Sequence, residues 1–167
     1  MSLPTTNLLN THGLEGIAGA RIAIVGTEWN EPIITALRKG CADVAAALDA
    51  VISHDITVPG AVELPFTCKR LFETSEPRGD GPEAIIALGA VIRGGTPHFD
   101  YVCKSVTEGL TRLNLFLPIP VIFGVLTLDN EAQAWERLGG PHGHKGEEAM
   151  MAALKMIALN RKLAGMG

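Results

Sequence analysis

Between Ala87 and Val102 the chain reads ALGAVIRGGTPHFDYV. An apolar run leads into two adjacent glycines, a threonine and a lone histidine, and aromatic residues follow at helical spacing. Adjacent glycines allow backbone N–H groups to approach an anion closely. Thr96 adds a hydroxyl, and histidine is the side chain type that exchanges a proton near neutral pH. The chemistry written here is anion binding beside proton transfer. In open α/β sheets ligands bind beyond the carboxyl ends of the strands, so the residues at the other strand ends belong to the same question.

Four apolar or β-branched runs read as strands: Arg21–Gly26, Val51–Val58, Ala84–Ile92 and Val121–Leu126. Helical patterns separate them. Asn30 offers an N-cap with Pro32 in the first turn, followed by Ile33, Ile34, Leu37, Cys41, Val44, Ala45 and Leu48 at helical spacing. Glu63–Glu73 reads as a second helix, with Pro65 tolerable only in its first turn. Phe99–Leu117 is a third, Asn130–Leu138 a short fourth, and a Gly/His loop leads to a last helix over Glu147–Leu163. Strand and helix alternating four times predict parallel βαβ units and a three-layer α/β/α sandwich around a four-stranded parallel sheet. Residues 1–20 carry no periodicity and read as a tail, or as an arm docked on a neighbour. Residues 21–167 form a single domain.

All four strands then deliver their carboxyl ends to one edge. A planar polar ring meets Trp29 or Phe123 for stacking, backbone groups over Ala61, Val62 and Glu63, and the Glu63 acid. A phosphate meets Gly94, Gly95 and Thr96, with Arg137 and Lys145 to complete the charge. Structural readings stand beside these. Trp29 in a turn also covers the end of a sheet, and Glu63 is an ordinary acid at a helix N-terminus. Arg137 suits a helix C-terminus, and Phe123 suits a core. His142-Gly143-His144, at i and i+2, would need a third partner with correct geometry, and no cysteine is nearby, so no metal is expected.

The chain's 167 residues suffice for one domain, and its net charge of −4 with no basic cluster argues against nucleic-acid binding. No uncharged apolar run approaches the roughly 20 residues of a membrane span. The hydrophobic share of 47% together with 19 glycines exceeds what one small core needs, which predicts large buried interfaces between subunits. Cys41, Cys68 and Cys103, each in a helical pattern, read as small hydrophobes in a reducing cytoplasm. Walker, G-x-G-x-x-G, G-x-S-x-G and C-x-x-C motifs are absent from the sequence.

The segments IAIVGTEWN, VPGAVELP, ALGAVIRGGTPHFDYV, PVIFGVLT, EAQAWERLGG and HKGEEA, in this order and spacing, resemble the lumazine synthase family from Arg21 to Leu163. The resemblance implies a flavodoxin-like fold and a cofactor-free condensation of 5-amino-6-(D-ribitylamino)uracil with 3,4-dihydroxy-2-butanone 4-phosphate. It implies Trp29 as the stacking aromatic, and Ala61, Val62, Glu63, Ala90, Val91 and Ile92 as ribityl and pyrimidine contacts. Gly95, Thr96 and Arg137 would hold the phosphate, and His98 would transfer protons. Phe123 would come from an adjoining subunit, and Lys145 with Glu148 would form a supporting charged pair. It further implies homopentamers with shared active sites, in some members assembled into decamers or sixty-subunit shells, with riboflavin synthase as a candidate partner. The loop Gly-Thr-Glu-Trp-Asn is one residue longer than the commonest family pattern. Two rivals remain at this stage: an archaeal-type riboflavin synthase, whose substrate has no phosphate for Arg137 to hold, and a flavin-binding protein that keeps the pocket without turnover.

Overall fold

A computed structural model describes residues 10–165. The chain folds as β1 (Arg21–Thr27), α1 (Glu31–Ala47), β2 (Val51–Val58), α2 (Leu64–Ser75), β3 (Ala84–Ile92), α3 (His98–Phe116), β4 (Val121–Leu128), α4 (Ala132–Trp135), β5 (Leu138–Gly140), β6 (Gly143–His144) and α5 (Lys145–Ala164). The main sheet is parallel with strand order β2-β1-β3-β4. Because side chains alternate across a strand, the two central strands feed two cores. Ile22, Ile24, Ile86 and Leu88 pack with Ile33, Leu37, Met150 and Leu154 from α1 and α5. Ala23, Val25, Ile85 and Ala87 pack with Leu64, Cys68, Val106 and Leu110 from α2 and α3. This is the expected three-layer α/β/α sandwich of flavodoxin-like type.

Three local expectations are corrected. Asn30 does occupy the N-cap position of α1, but in the left-handed region (φ 61°) and with no side-chain cap. The fourth helix is one turn, Ala132–Trp135, and not Asn130–Leu138. Its start is fixed by Asn130 Oδ1 accepting from the Gln133 N–H at 3.1 Å. The expected Gly/His loop is instead a small antiparallel ribbon, β5 with β6, pairing Leu138 with His144 and Gly140 with Gly143. Gly139 and Gly143 take positive φ there, which only glycine does at little cost.

Residues 1–9, and with them that part of the reading as a tail or docked arm, lie outside the described residues. From Gly13 onward the segment folds onto its own domain. Gly13, Gly16 and Gly19 all have positive φ, and the residue after each, Leu14, Ile17 and Ala20, is buried in the α1/α5 core. Three short turns thus deliver one apolar side chain each. Of the cysteines, Cys41 and Cys68 are buried and Cys103 is half-buried, and all three are free thiols. Burial pushes the Cys41 and Cys68 thiols up to about 12, so neither is a nucleophile at neutral pH.

The opposite end of the sheet from the strand C-termini is tied by charge. Arg161 grips Glu83 through Nε at 2.8 Å and Nη2 at 2.8 Å and donates Nη1 to the Gly16 carbonyl. Glu83 also accepts the Arg21 N–H at 3.0 Å. The Arg161 hydrogen bond holds the Glu83 carboxyl below the usual range, against an opposing effect of burial. Stability from a carboxylate with a lowered folded pKa is present above its unfolded value and is lost as pH falls through the folded value. Glu83→Gln should therefore unfold at a lower temperature than the parent at pH 7, and the gap should close as the pH falls below about 4. Thermal melts across that range check it, and a gap that does not depend on pH would contradict it.

Candidate active site

The site is built from unequal strand lengths. β1 stops pairing with β3 at Gly26–Leu88, whereas β4 stays paired with β3 as far as Ile92–Leu128. Residues Gly89–Ile92 therefore keep one backbone edge open on the β1 side. Buried backbone N–H and C=O groups require partners, and an open edge supplies them to a polar ligand. A cavity of about 460 Å³ lies against this edge, lined by Thr27, Trp29 and Asn30 after β1, Pro59–Glu63 after β2, and Ala90–Ile92, Gly94, Thr96, His98, Phe99 and Val102.

Each wall is positioned by identifiable bonds. The β1 loop lies on the β2 loop through Glu28 N–H to the Val58 carbonyl (2.8 Å) and Trp29 N–H to the Pro59 carbonyl (3.4 Å). Buried Thr27 donates its hydroxyl to the Trp29 carbonyl at 3.1 Å. The Trp29 backbone is thus pinned while the residue as a whole is 74% exposed. Asn30 spans the cavity floor, its Nδ2 donating to the Ala90 carbonyl at 2.9 Å. That bond holds a residue within the open segment and explains why an asparagine, tolerant of positive φ, stands there. Ala61–Glu63 form a single 3-10 turn that runs into α2, with Pro65 in the first helical turn.

His98 is the first residue of α3 and is exposed to the cavity. Its own N–H donates to the Thr96 hydroxyl at 3.4 Å, so the threonine and the histidine are set relative to one another. Gly94 has no neighbouring atom within 4 Å of where a Cβ would stand, and its φ is not in the positive range. Nothing in the chain itself requires glycine there.

The predicted residues therefore fall into two groups. Trp29, Ala61, Val62, Glu63, Ala90, Val91, Ile92, Thr96 and His98 line one cavity, with Gly95 inside the loop that borders it. Phe123, Arg137, Lys145 and Glu148 do not line it. Phe123 pairs with Ala87 in mid-strand and is 44% exposed on the sheet's edge. Arg137 donates Nη1 to the Gln133 carbonyl at 3.0 Å, behind the single turn of α4. The Arg137 carbonyl accepts the Lys145 N–H at 2.9 Å. Lys145 Nζ in turn meets both Glu148 oxygens at 2.7 and 2.8 Å. Gly94, read from the sequence as a phosphate contact, also lines the cavity, whereas Asn30, Phe99 and Val102 are cavity residues that the sequence reading did not assign to the site. Asparagine's tolerance of left-handed backbone was the available signal for Asn30. For Val102 it was helical spacing (i+4) from His98, and Phe99 directly follows the histidine.

Among the described residues no group of three or more His, Cys, Asp or Glu side chains is placed to hold a metal ion. Nor is any helix there long and apolar enough to cross a membrane.

A four-stranded parallel sheet between helices, with an overhanging strand, an exposed tryptophan and a glycine-rich loop with a histidine at its carboxyl edge, defines a flavodoxin-like α/β/α protein with a cavity at that edge. The chain belongs to the 6,7-dimethyl-8-ribityllumazine synthase family, transferases of riboflavin biosynthesis, whose sequence model matches residues 19–161. Curated relatives of that name include the protein of Bdellovibrio bacteriovorus, 43% identical over 86% of this chain and 76% of the relative. The Porphyromonas gingivalis protein is 46% identical over 84% and 86%, and that of Kineococcus radiotolerans 42% identical over 88% and 89%.

Gly94→Ala should leave the melting temperature unchanged or slightly raised, because the added methyl meets nothing in the fold. It should weaken binding of inorganic phosphate about ten-fold, the equivalent of one charge-assisted hydrogen bond. Calorimetric titration checks this, and unchanged phosphate affinity would remove Gly94 from the anion site.

Proposed function

We propose that the chain condenses 5-amino-6-(D-ribitylamino)uracil with 3,4-dihydroxy-2-butanone 4-phosphate to 6,7-dimethyl-8-ribityllumazine, releasing phosphate and water. The observation that carries this is the pairing, in one cavity, of an exposed Trp29 ring and the open backbone edge Ala90–Ile92 with the Gly94–Thr96 loop and His98. The pyrimidine stacks on Trp29 and bonds to the open edge. The ribityl hydroxyls run along Ala61, Val62 and Glu63. The phosphate lies at Gly95 and Thr96, which places the ketone next to His98.

Imine formation, loss of phosphate and ring closure each move a proton. One histidine serves as acceptor in one step and donor in another, a role worth typically 10²–10⁴-fold in rate. Orientation of two reactants in a shared cavity accounts for much of the rest.

The cavity lining contains no lysine or arginine, yet the proposed substrate carries a phosphate. Arg137 is the cation suited to it, and Phe123 the aromatic suited to close the pocket, and neither lines the cavity of its own chain. We infer that both reach the cavity of a neighbouring copy, in a homopentamer or a multiple of it, with Lys145 and Glu148 supporting the contributed edge. The exposed apolar side chains Phe66, Tyr101, Leu115 and Phe116 on α2 and α3 support such an interface. The product suits riboflavin synthase as the next enzyme, and a cytoplasmic setting suits the free thiols.

Mixing the purified protein with both substrates should yield lumazine and phosphate in equal amounts. His98→Ala should slow turnover by about 10²-fold or more while pyrimidine affinity stays within about two-fold, because the proposed pyrimidine contacts are Trp29 and the open edge of β3 and not His98. Lumazine absorbance, a phosphate assay and a pyrimidine titration read these together. A protein that purifies with bound flavin and forms no lumazine would contradict the proposal, and undiminished turnover in His98→Ala would contradict the residue's role.

A further inference from the structure

The loop from Gly94 to Pro97 carries the proposed anion site and aims His98, yet little holds it. Neither Gly94 nor Gly95 has chain atoms within 4 Å of a Cβ position. The one side-chain hydrogen bond within the loop's span is that of Thr96 to the His98 N–H. What borders the loop on both sides is one side chain. Arg93 extends the β3–β4 ladder by donating its N–H to the Leu128 carbonyl at 2.8 Å. Its Nε donates to Asp129 Oδ1 at 3.1 Å, just past β4. Its Nη1 donates to Asp100 Oδ1 at 3.3 Å, in the first turn of α3. Its guanidinium lies 4.0 Å from the centroid of the Phe99 ring, and Phe99 lines the cavity.

We propose that Arg93 is a positioning residue for the reaction, clamping the first turn of α3 to the ends of β3 and β4 so that His98 keeps a fixed relation to the open edge of β3 and to the anion loop. This rests on the reading of His98 as the proton-transfer group. Arg93 is not the phosphate's cation, because its charge is met by two carboxylates and it does not line the cavity. The planar fork is what the position uses. It reaches Asp100 and Asp129 at once while stacking on an aromatic face, which a lysine ammonium does not do. Exposed ion pairs of this kind add little to global stability. A misplacement of about 1 Å at a reacting group, however, can cost on the order of 100-fold in rate. The clamp's contribution therefore lies in geometry.

The test compares Arg93→Gln, Arg93→Lys, Asp100→Asn and the double variant Arg93→Gln/Asp100→Asn with the parent and with His98→Ala, all as full-length assembled protein. Arg93→Gln should lower kcat about ten-fold, with KM for each substrate and the affinity for inorganic phosphate within about two-fold. Arg93→Lys should fall between it and the parent. The double variant should lose no more than Arg93→Gln alone, since both changes break one network. Melting temperature and light scattering should match the parent. The proposal is overturned if kcat is unchanged while His98→Ala is slow. A rise in KM or in phosphate Kd at intact kcat would make Arg93 a ligand and overturn it equally. If His98→Ala itself turns over normally, the proton-transfer reading fails, and the positioning role with it.

Discussion

The overhang of β3 past β1 is the constraint from which the site follows. β3 runs nine residues without a polar side chain, is buried on both faces through most of its length and is paired on both edges in its first half. β1 leaves the ladder at Gly26, and the chain there must turn away over the end of the sheet. That departure opens the backbone of Gly89–Ile92, and the same turn raises Trp29 above the gap. Asn30 then reaches back to the Ala90 carbonyl and keeps the gap at a fixed width. An aromatic plane above exposed amide groups, at the carboxyl end of a parallel sheet, is a geometry for a flat, polar heterocycle.

Electrostatics divides the site more sharply than shape does. The cavity offers amides, hydroxyls, one carboxylate and one histidine, but no fixed cation. Of the cations near the carboxyl edge, Arg93 is neutralised by Asp100 and Asp129, and Lys145 by Glu148. Arg137 is engaged with a backbone carbonyl and lies 3.8 Å from the Glu136 carboxylate. It is the guanidinium whose remaining donors suit a phosphate. Arg137 lies outside the cavity of its own chain, which is the ground for the proposal that a second copy of the chain supplies the missing charge.

Much of this architecture was legible in the residues. Runs such as RIAIVG and AIIALGAVI are long, apolar and β-branched, and strands buried on both faces leave that signature whatever their neighbours. The same holds for helices with a full apolar stripe, whose observed ends differ from expectation by a residue or two. The features that escaped are those where a single residue's backbone decides the path. Asn30 reads as an N-cap because asparagine is a good one, and only its long-range bond to Ala90 distinguishes the two roles. The turns at Gly13, Gly16 and Gly19 place Leu14, Ile17 and Ala20 at a spacing of three, which matches neither helix nor strand. The β5–β6 ribbon depends on two positive-φ glycines in a stretch too short to show alternation. At the site, the residues singled out by type at the ends of β1, β2 and β3 line or border one cavity, and those from β4 onward do not. Which residues share that cavity and which lie elsewhere on the chain depended on the three-dimensional register of β4 and α4.

The division of the site between copies is tested most directly by co-expressing His98→Ala and Arg137→Ala chains and measuring lumazine formation by the mixed assembly. In a head-to-tail ring an intact His98 meets an intact Arg137 at about one quarter of the interfaces of an equal mixture. The mixed assembly should therefore recover about a quarter of the parent's activity although each variant alone is nearly inactive. Activity in the mixture no higher than that of the better single variant would place both residues in one subunit's site and contradict the shared arrangement.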